Sequence, residues 1–113
     1  MEQEMVLCGA SWYSKKFYLD DAFNKLPTQV KDELKIMCVL YTEEVGGVLT
    51  LFFDEDGNLE LRTSCEEGDL LYDEIGAALK IGKMRNEKAE LFESLELFYR
   101  VFILGLDAGD RKD

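Results

Sequence analysis

Apolar residues recur every three or four positions between residues 30 and 45 of this 113-residue chain. That spacing places them on one face of an α-helix. Ile36, Val39 and Leu40 lie off the stripe, which indicates that the second half of the helix is covered on more than one side. Pro27 precedes the segment, at a first-turn position where its missing N–H costs nothing, and two glycines at 46–47 follow it. The pattern predicts a helix between Pro27 and these glycines.

Two strands are expected next, because the apolar period drops from 3.6 to 2 after the glycines. Residues 48–53 (VLTLFF) and 59–65 (LELRTSC) are β-branched, aromatic or alternating. Asp56-Gly57 between them predicts a hairpin, since a type I′ turn needs positive φ at both of its central residues. We expect a two-residue loop that pairs Phe53 with Glu60.

This register leaves one apolar face of the hairpin without a clear cover. It places Leu49, Leu51 and Phe53 beside polar residues of the second strand. Either the N-terminal segment or a second subunit is able to cover them. We take Leu49, Leu51 and Phe53 as the candidate interface of a homodimer.

The other segments predict strands before the first helix and helices after the hairpin. Residues 5–13 and 16–19 favour short strands, with a helical turn as the open alternative. A helix is expected to open at residue 68, with one apolar stripe formed by Leu71, Ile75 and Leu79. Asn86 is expected to cap a last helix, whose stripe is formed by Leu91, Leu95, Phe98 and Phe102 and is widened by Phe92 and Tyr99.

These elements define an α+β class, with an antiparallel β-hairpin or small sheet packed against three main helices, one before the hairpin and two after it. The length suits a single domain over residues 1–113, with residues 106–113 as a polar tail that frays. The N-terminus lacks the pattern of a signal peptide, and no segment reaches the ~20 apolar residues of a membrane span. We expect a soluble, cytoplasmic protein with no membrane partner.

Charge and residue types exclude several functions. The 24 acidic and 13 basic residues give a net charge of −11, which repels nucleic acid. The chain has no histidine, and this removes the commonest general base and the commonest metal ligand. Its three cysteines form no CxxC pair. We expect no nucleic-acid partner, no cofactor and no metal, and an enzyme is the less favoured interpretation.

Two acidic stretches resemble chemical sites, and both favour a structural interpretation. Residues 54–60 (DEDGNLE) resemble a calcium loop, but with Gly57 at the sixth position the first position falls on Phe52, which cannot bind calcium. We interpret the segment as a turn. Asp73 and Glu74 suit the first turn of a helix. An enclosed pocket lined by them and a tyrosine would instead favour a small carboxylate-based enzyme or a ligand-binding protein.

Several stretches of the chain together resemble a family of small uncharacterised proteins, a domain of unknown function, from anaerobic Gram-positive bacteria. They are YSKKFYL (13–19), LPTQVKDELKIMCVL (26–40), VGG (45–47), YDEIGAALKI (72–81) and LELFYRVFILG (95–105). The resemblance spans nearly the full length and contains no catalytic signature. It implies a stand-alone intracellular protein and no particular activity.

The function that the sequence favours is therefore binding. The apolar first strand of the hairpin and the apolar end of the last helix support a small acidic regulatory protein without catalysis. It would bind a protein partner and form a homodimer. The alternative is a small carboxylate-based enzyme or a small-ligand-binding protein.

Overall fold

A computed structural model describes residues 4–105, which form a four-stranded antiparallel sheet and three α-helices. This confirms the α+β class. The sheet has the spatial order β2-β1-β3-β4, and its strands are β1 (Met5–Ser11), β2 (Lys16–Leu19), β3 (Val48–Phe53) and β4 (Leu59–Ser64). The helices are α1 (Thr28–Val45), α2 (Glu74–Glu87) and α3 (Ala89–Phe98), with a π-helical turn at Tyr99–Ile103 after α3. The predicted frayed tail, residues 106–113, lies outside the described residues.

The first half of the chain follows the predictions. Strands β1 and β2 pair antiparallel, so the strand interpretation of this segment is confirmed over its helical alternative. Helix α1 begins directly after Pro27. It ends at Gly46 and Gly47, which have φ values of 81° and 69°. The glycine stop predicted from the sequence is therefore confirmed.

The hairpin of β3 and β4 is present, but its turn differs from the predicted one. The Asp54 N–H donates to the Asn58 carbonyl (2.9 Å), and the Gly57 N–H donates to the Asp54 carbonyl (3.0 Å). The loop therefore has three residues, Glu55-Asp56-Gly57, and within it Gly57 alone has positive φ (85°). This geometry is that of a three-residue hairpin loop with a left-handed glycine. The prediction of a two-residue type I′ loop was wrong, whereas the interpretation of this segment as a turn is confirmed.

The extra loop residue shifts the register by one position and exchanges the two faces of β4. Phe53 pairs with Leu59 instead of Glu60, and a shift of one residue moves every side chain of a strand to the other face. Leu49, Leu51 and Phe53 are fully buried inside the single chain. The candidate interface is thus corrected: these three residues belong to the core and have no surface to offer a second subunit.

The core lies between the sheet and the helices. A β-bulge at Leu7 interrupts the pairing of β1 with β3 and lets Leu7 and Cys8 both point into the core, where neither is exposed. Aromatic rings fill the space under the helices. The ring of Phe53 stacks on that of Tyr99 with centroids 4.2 Å apart, and Phe23 lies 5.7 Å from Phe53. The N-terminal segment and the C-terminal turn thus cover the strand that was expected to need a partner.

Helix α2 differs from the prediction in its start and in its buried face. It begins at Glu74 with Asp73 as its N-cap, six residues after the predicted opening at residue 68, and it continues through Gly82 to Glu87. Its buried residues are Ala77 and Met84. The expected stripe of Leu71, Ile75 and Leu79 is exposed, because α2 packs its opposite side against α1 and α3.

Helix α3 buries the two residues predicted to widen its stripe and only part of the stripe itself. Lys88, and not Asn86, separates it from α2. The buried positions in α3 and the following turn are Phe92, Leu95 and Tyr99. Of the predicted stripe, Leu95 is buried, Leu91 and Phe98 are partly buried, and Phe102 is exposed.

Candidate functional site

The acidic residues weighed as chemical groups have structural roles. The Asp73 carboxylate accepts a hydrogen bond from the Gly76 N–H (2.8 Å) as the N-cap of α2, and Glu74 is exposed in the first turn. The Asp54 carboxylate accepts from the N–H groups of Asp56 and Asn58, both at 2.9 Å. Burial raises the pKa of Asp54, but these hydrogen bonds outweigh burial and hold that pKa below its ordinary value. Within residues 4–105, no three His, Cys, Asp or Glu side chains form a group suited to a metal ion.

The two buried cysteines lie in an environment that makes them unreactive. The thiols of Cys8 and Cys38 lie 4.0 Å apart and are both buried. The hydrogen bond to Cys38 and burial raise the pKa of the Cys8 thiol far above its ordinary value. Because the thiolate is the reactive form, this environment suppresses its reactivity. Cys65 is exposed.

The feature that stands out is a set of large apolar side chains on the helical side of the molecule. Six of them, on α1, on α2 and in the turn before α2, are between 56% and 94% exposed, and we call them the helical apolar surface: Ile36, Leu40, Leu70, Leu71, Ile75 and Leu79. Ile36 and Leu40 are one turn apart on α1, and Ile75 and Leu79 are one turn apart on α2. Single exposed apolar residues are ordinary, but six large ones on two packed helices and the turn before α2 are more than scattered exposure explains, and exposed apolar surface of this extent is often an interaction site.

A groove of about 470 Å³ runs between α1 and α2 beside this surface. Ile36 and Leu40 form part of its α1 wall, and the nearly buried Met37 and Met84 lie at its base. Lys80 is among the α2 residues that line it. The aliphatic stem of a lysine covers apolar surface while its ammonium stays in water. The groove is therefore apolar at its base and charged at its rim.

The charges at the rim are largely paired across the two helices. Lys80 forms an ion pair with Glu44, and this hydrogen bond holds the pKa of Glu44 below its ordinary value. Lys88 pairs with Glu33 at 2.9 Å. Such exposed pairs contribute little to stability. They align α2 with α1 and leave the rim close to neutral.

The segment before α2 is held in a defined conformation that keeps its leucines outside. The Tyr13 hydroxyl accepts a hydrogen bond from the Glu66 N–H (2.9 Å) and donates one to the Asp69 carboxylate. The bond between the side chains raises the pKa of Tyr13 and lowers that of Asp69. The next two residues, Leu70 and Leu71, are almost fully exposed. Leu70 and Leu71 are therefore exposed as part of an ordered turn.

Sequence reasoning found part of this surface and misjudged its environment. Leu71, Ile75 and Leu79 were predicted as a stripe, but as one facing the core. Ile36 and Leu40 were expected to be covered on a second side of α1, and that expectation was wrong for both, since each is more than half exposed. Leu70 had no periodic signal.

These observations define the class of the protein. It has an α+β fold with its helices on one face of a sheet, and those helices carry an exposed apolar surface. A family model described as a family of unknown function (DUF6145) matches residues 4–107, and the chain belongs to that family. The resemblance drawn from the sequence is thereby confirmed. The comparisons with curated proteins and with solved structures found no match. No helix in residues 4–105 combines the length and the apolar content that a membrane crossing requires.

Proposed function

We propose that the protein acts without catalysis, by binding another protein molecule through the helical apolar surface. The observation that carries the proposal is the exposure of its six side chains. With about 60–120 Å² for each fully exposed side chain, as implied by 1.5–3 kcal/mol at about 25 cal/mol per Å², they expose roughly 300–500 Å². That is the size of the largest patch on a typical monomer, which is often functional.

The energies are of the right order for a reversible complex. Covering the six side chains contributes roughly 7–13 kcal/mol at 1.5–3 kcal/mol for each full burial. Association costs about 4–15 kcal/mol in lost translation and rotation. Since the two are comparable, polar contacts around the surface decide the affinity. The net charge of −11 supports the further expectation of a partner that is not nucleic acid. The cytoplasmic setting expected from the sequence is part of this proposal.

The test compares two leucine-to-glutamate variants, one on the helical apolar surface and one outside it. Leu79→Glu puts a charge on the helical apolar surface, and Leu97→Glu puts one on α3, where Leu97 is 50% exposed. Both variants should keep the wild-type circular dichroism spectrum. Proteins captured from an extract of the source cells by wild type and by Leu97→Glu, but not by Leu79→Glu, are then purified and titrated singly. At least a tenfold weaker Kd for Leu79→Glu supports the proposal, and equal affinities for all three chains contradict it.

A second candidate function, binding of a small molecule, is favoured by the groove alone. Its volume of about 470 Å³ falls within the roughly 300–1,000 Å³ of ligand pockets. However, its walls include Ile36 and Leu40, which are more than half exposed, so it encloses a ligand poorly. Asp73 and Glu74 do not line it. Native mass spectrometry of protein from the source cells decides this point, because a retained small molecule of constant mass would favour the second candidate.

A further inference from the structure

We propose that the helical apolar surface binds a second copy of the same chain across a two-fold axis. The inference rests on the proposed function and names the partner of that surface. Each copy would place the row of Ile75 and Leu79 on the Ile36 and Leu40 wall of the other copy's groove. Such a contact is isologous, since each surface contributes both the row and the groove.

The arrangement of the surface supports this self-complementarity. Lys80 and Lys83 of α2 line the groove. Leu79 directly precedes Lys80, and Ile75 lies one turn before it on the same side of the helix. A protruding row and an apolar groove thus occupy adjacent sides of one helix. A second copy related by a two-fold axis offers the same row and the same groove. The row of each copy then meets the groove of the other.

The exposed area is sufficient for a dimer. If the contact covers all six side chains of each copy, Leu70 and Leu71 included, two copies together bury about 600–1,000 Å² of apolar surface, and apolar atoms form about 57–65% of an interface. The whole contact then covers about 1,000–1,600 Å², which reaches the roughly 1,000 Å² that a specific interface needs.

The charge distribution along α2 favours an antiparallel pair. Asp73 and Glu74 stand at its N-terminal end, whereas Lys80, Lys83 and Arg85 stand in its second half. A two-fold axis across α2 places the acidic end of one copy near the basic half of the other, and it also opposes the two helix dipoles. Because Lys80, Lys83 and Arg85 already pair with Glu44, Glu87 and Glu60 of their own chain, this complementarity orients the pair without cancelling the net charge of −11 on each copy.

Light scattering of the full chain provides the first test. Wild type and Leu97→Glu at micromolar concentration should have about twice the chain mass of 13.0 kDa. Leu79→Glu and Ile36→Lys should each weaken dimerisation at least tenfold. Both residues are exposed, so the circular dichroism spectra should remain those of the wild type.

Mixing the two variants tests the geometry. In a mixed dimer one contact joins the native Leu79 to the native Ile36, and the other joins the introduced glutamate to the introduced lysine. An equimolar mixture should therefore recover the dimer mass that neither variant has alone. Recovery supports the proposed crossing of α2 onto α1, and its absence overturns that crossing.

The remaining outcomes separate this inference from the proposed function. If the wild type stays monomeric up to about 100 µM, a concentration at which even weak specific dimers are populated, the inference that the partner is a second copy is wrong. Dimers that persist in both variants overturn it too, because they use another surface. The capture experiment judges the proposed function independently, since a monomer that binds a different protein through Leu79 would sustain it.

Discussion

Replacing Gly57 with alanine tests how firmly the hairpin turn is joined to the end of α3. A Cβ on Gly57 would lie 2.8 Å from Cγ and 2.9 Å from Nε of Arg100. The Arg100 side chain donates hydrogen bonds to the side-chain oxygen of Asn58 (2.8 Å) and to the carbonyl of Asp56 (3.3 Å). The new methyl group therefore displaces a side chain that connects segments more than 40 residues apart.

The cost has two separable parts. Holding alanine at the left-handed φ of Gly57 costs about 1–2 kcal/mol. Displacing Arg100 loses two hydrogen bonds, each contributing about 0.5–1.5 kcal/mol. We expect Gly57→Ala to lower the free energy of unfolding by about 2–5 kcal/mol. Gly68 has the same φ of 85° and nothing within 4 Å of an added Cβ, so Gly68→Ala should cost only the backbone strain of about 1–2 kcal/mol.

Urea unfolding, followed by the fluorescence of the single tryptophan, measures these differences. Arg100→Ala completes a double-mutant cycle. In that background the cost of Gly57→Ala should fall to that of Gly68→Ala, because the obstructing side chain is gone. Equal costs for Gly57→Ala in both backgrounds would show that Arg100 does not link the turn to α3.

Three further outcomes are expected. One thiol per chain, that of Cys65, should react quickly with a disulfide reagent under native conditions, and the two buried thiols should react only on unfolding; rapid titration of three thiols would contradict the packing of β1 on α1. Leu49→Ala should destabilise the monomer by about 2–5 kcal/mol, whereas Leu40→Ala should change its stability by less than about 0.5 kcal/mol; equal effects would restore the discarded register. The pKa of Asp54 is lowered by folding, so its contribution is present above the unfolded pKa near 4 and is lost as the pH falls through the folded pKa; Asp54→Asn should therefore lose less stability between pH 6 and pH 3 than wild type does in urea titrations at each pH.

The hairpin shows where local sequence patterns are sufficient and where they are not. Asp56-Gly57 predicted a turn correctly, because glycine at positive φ is a local requirement. The choice between a two-residue and a three-residue loop depends on the Asp54 carboxylate and on Arg100, which comes from a distant part of the chain. A difference of one loop residue then exchanged the two faces of β4 and produced a false interface.

Helix α2 shows that periodicity predicts a helix without deciding which of its faces is buried. Periodicity predicted a helix, but two sets of positions fit its spacing, one with Ile75 and Leu79 and one with Ala77 and Met84. The larger aliphatic set is the natural choice for burial by the area rule. The structure buries the smaller alanine instead, where α2 packs against α1 and α3. The surface proposed for binding is thus the place where the rule that apolar residues face inward fails, as is common at functional sites.

The central position of β1 has a consequence for synthesis on the ribosome. This strand is made before α1 and β3, and its pairing with β3 waits until all of α1 and β3 have left the exit tunnel. During that interval one edge of a strand with the sequence MVLCGAS, which has neither charge nor proline, presents unpaired backbone groups. An edge of this kind pairs readily with other nascent chains. We expect rapid closure of the β3–β4 hairpin to shorten this interval, so that variants with a weakened turn give a lower yield of folded protein as well as a lower equilibrium stability.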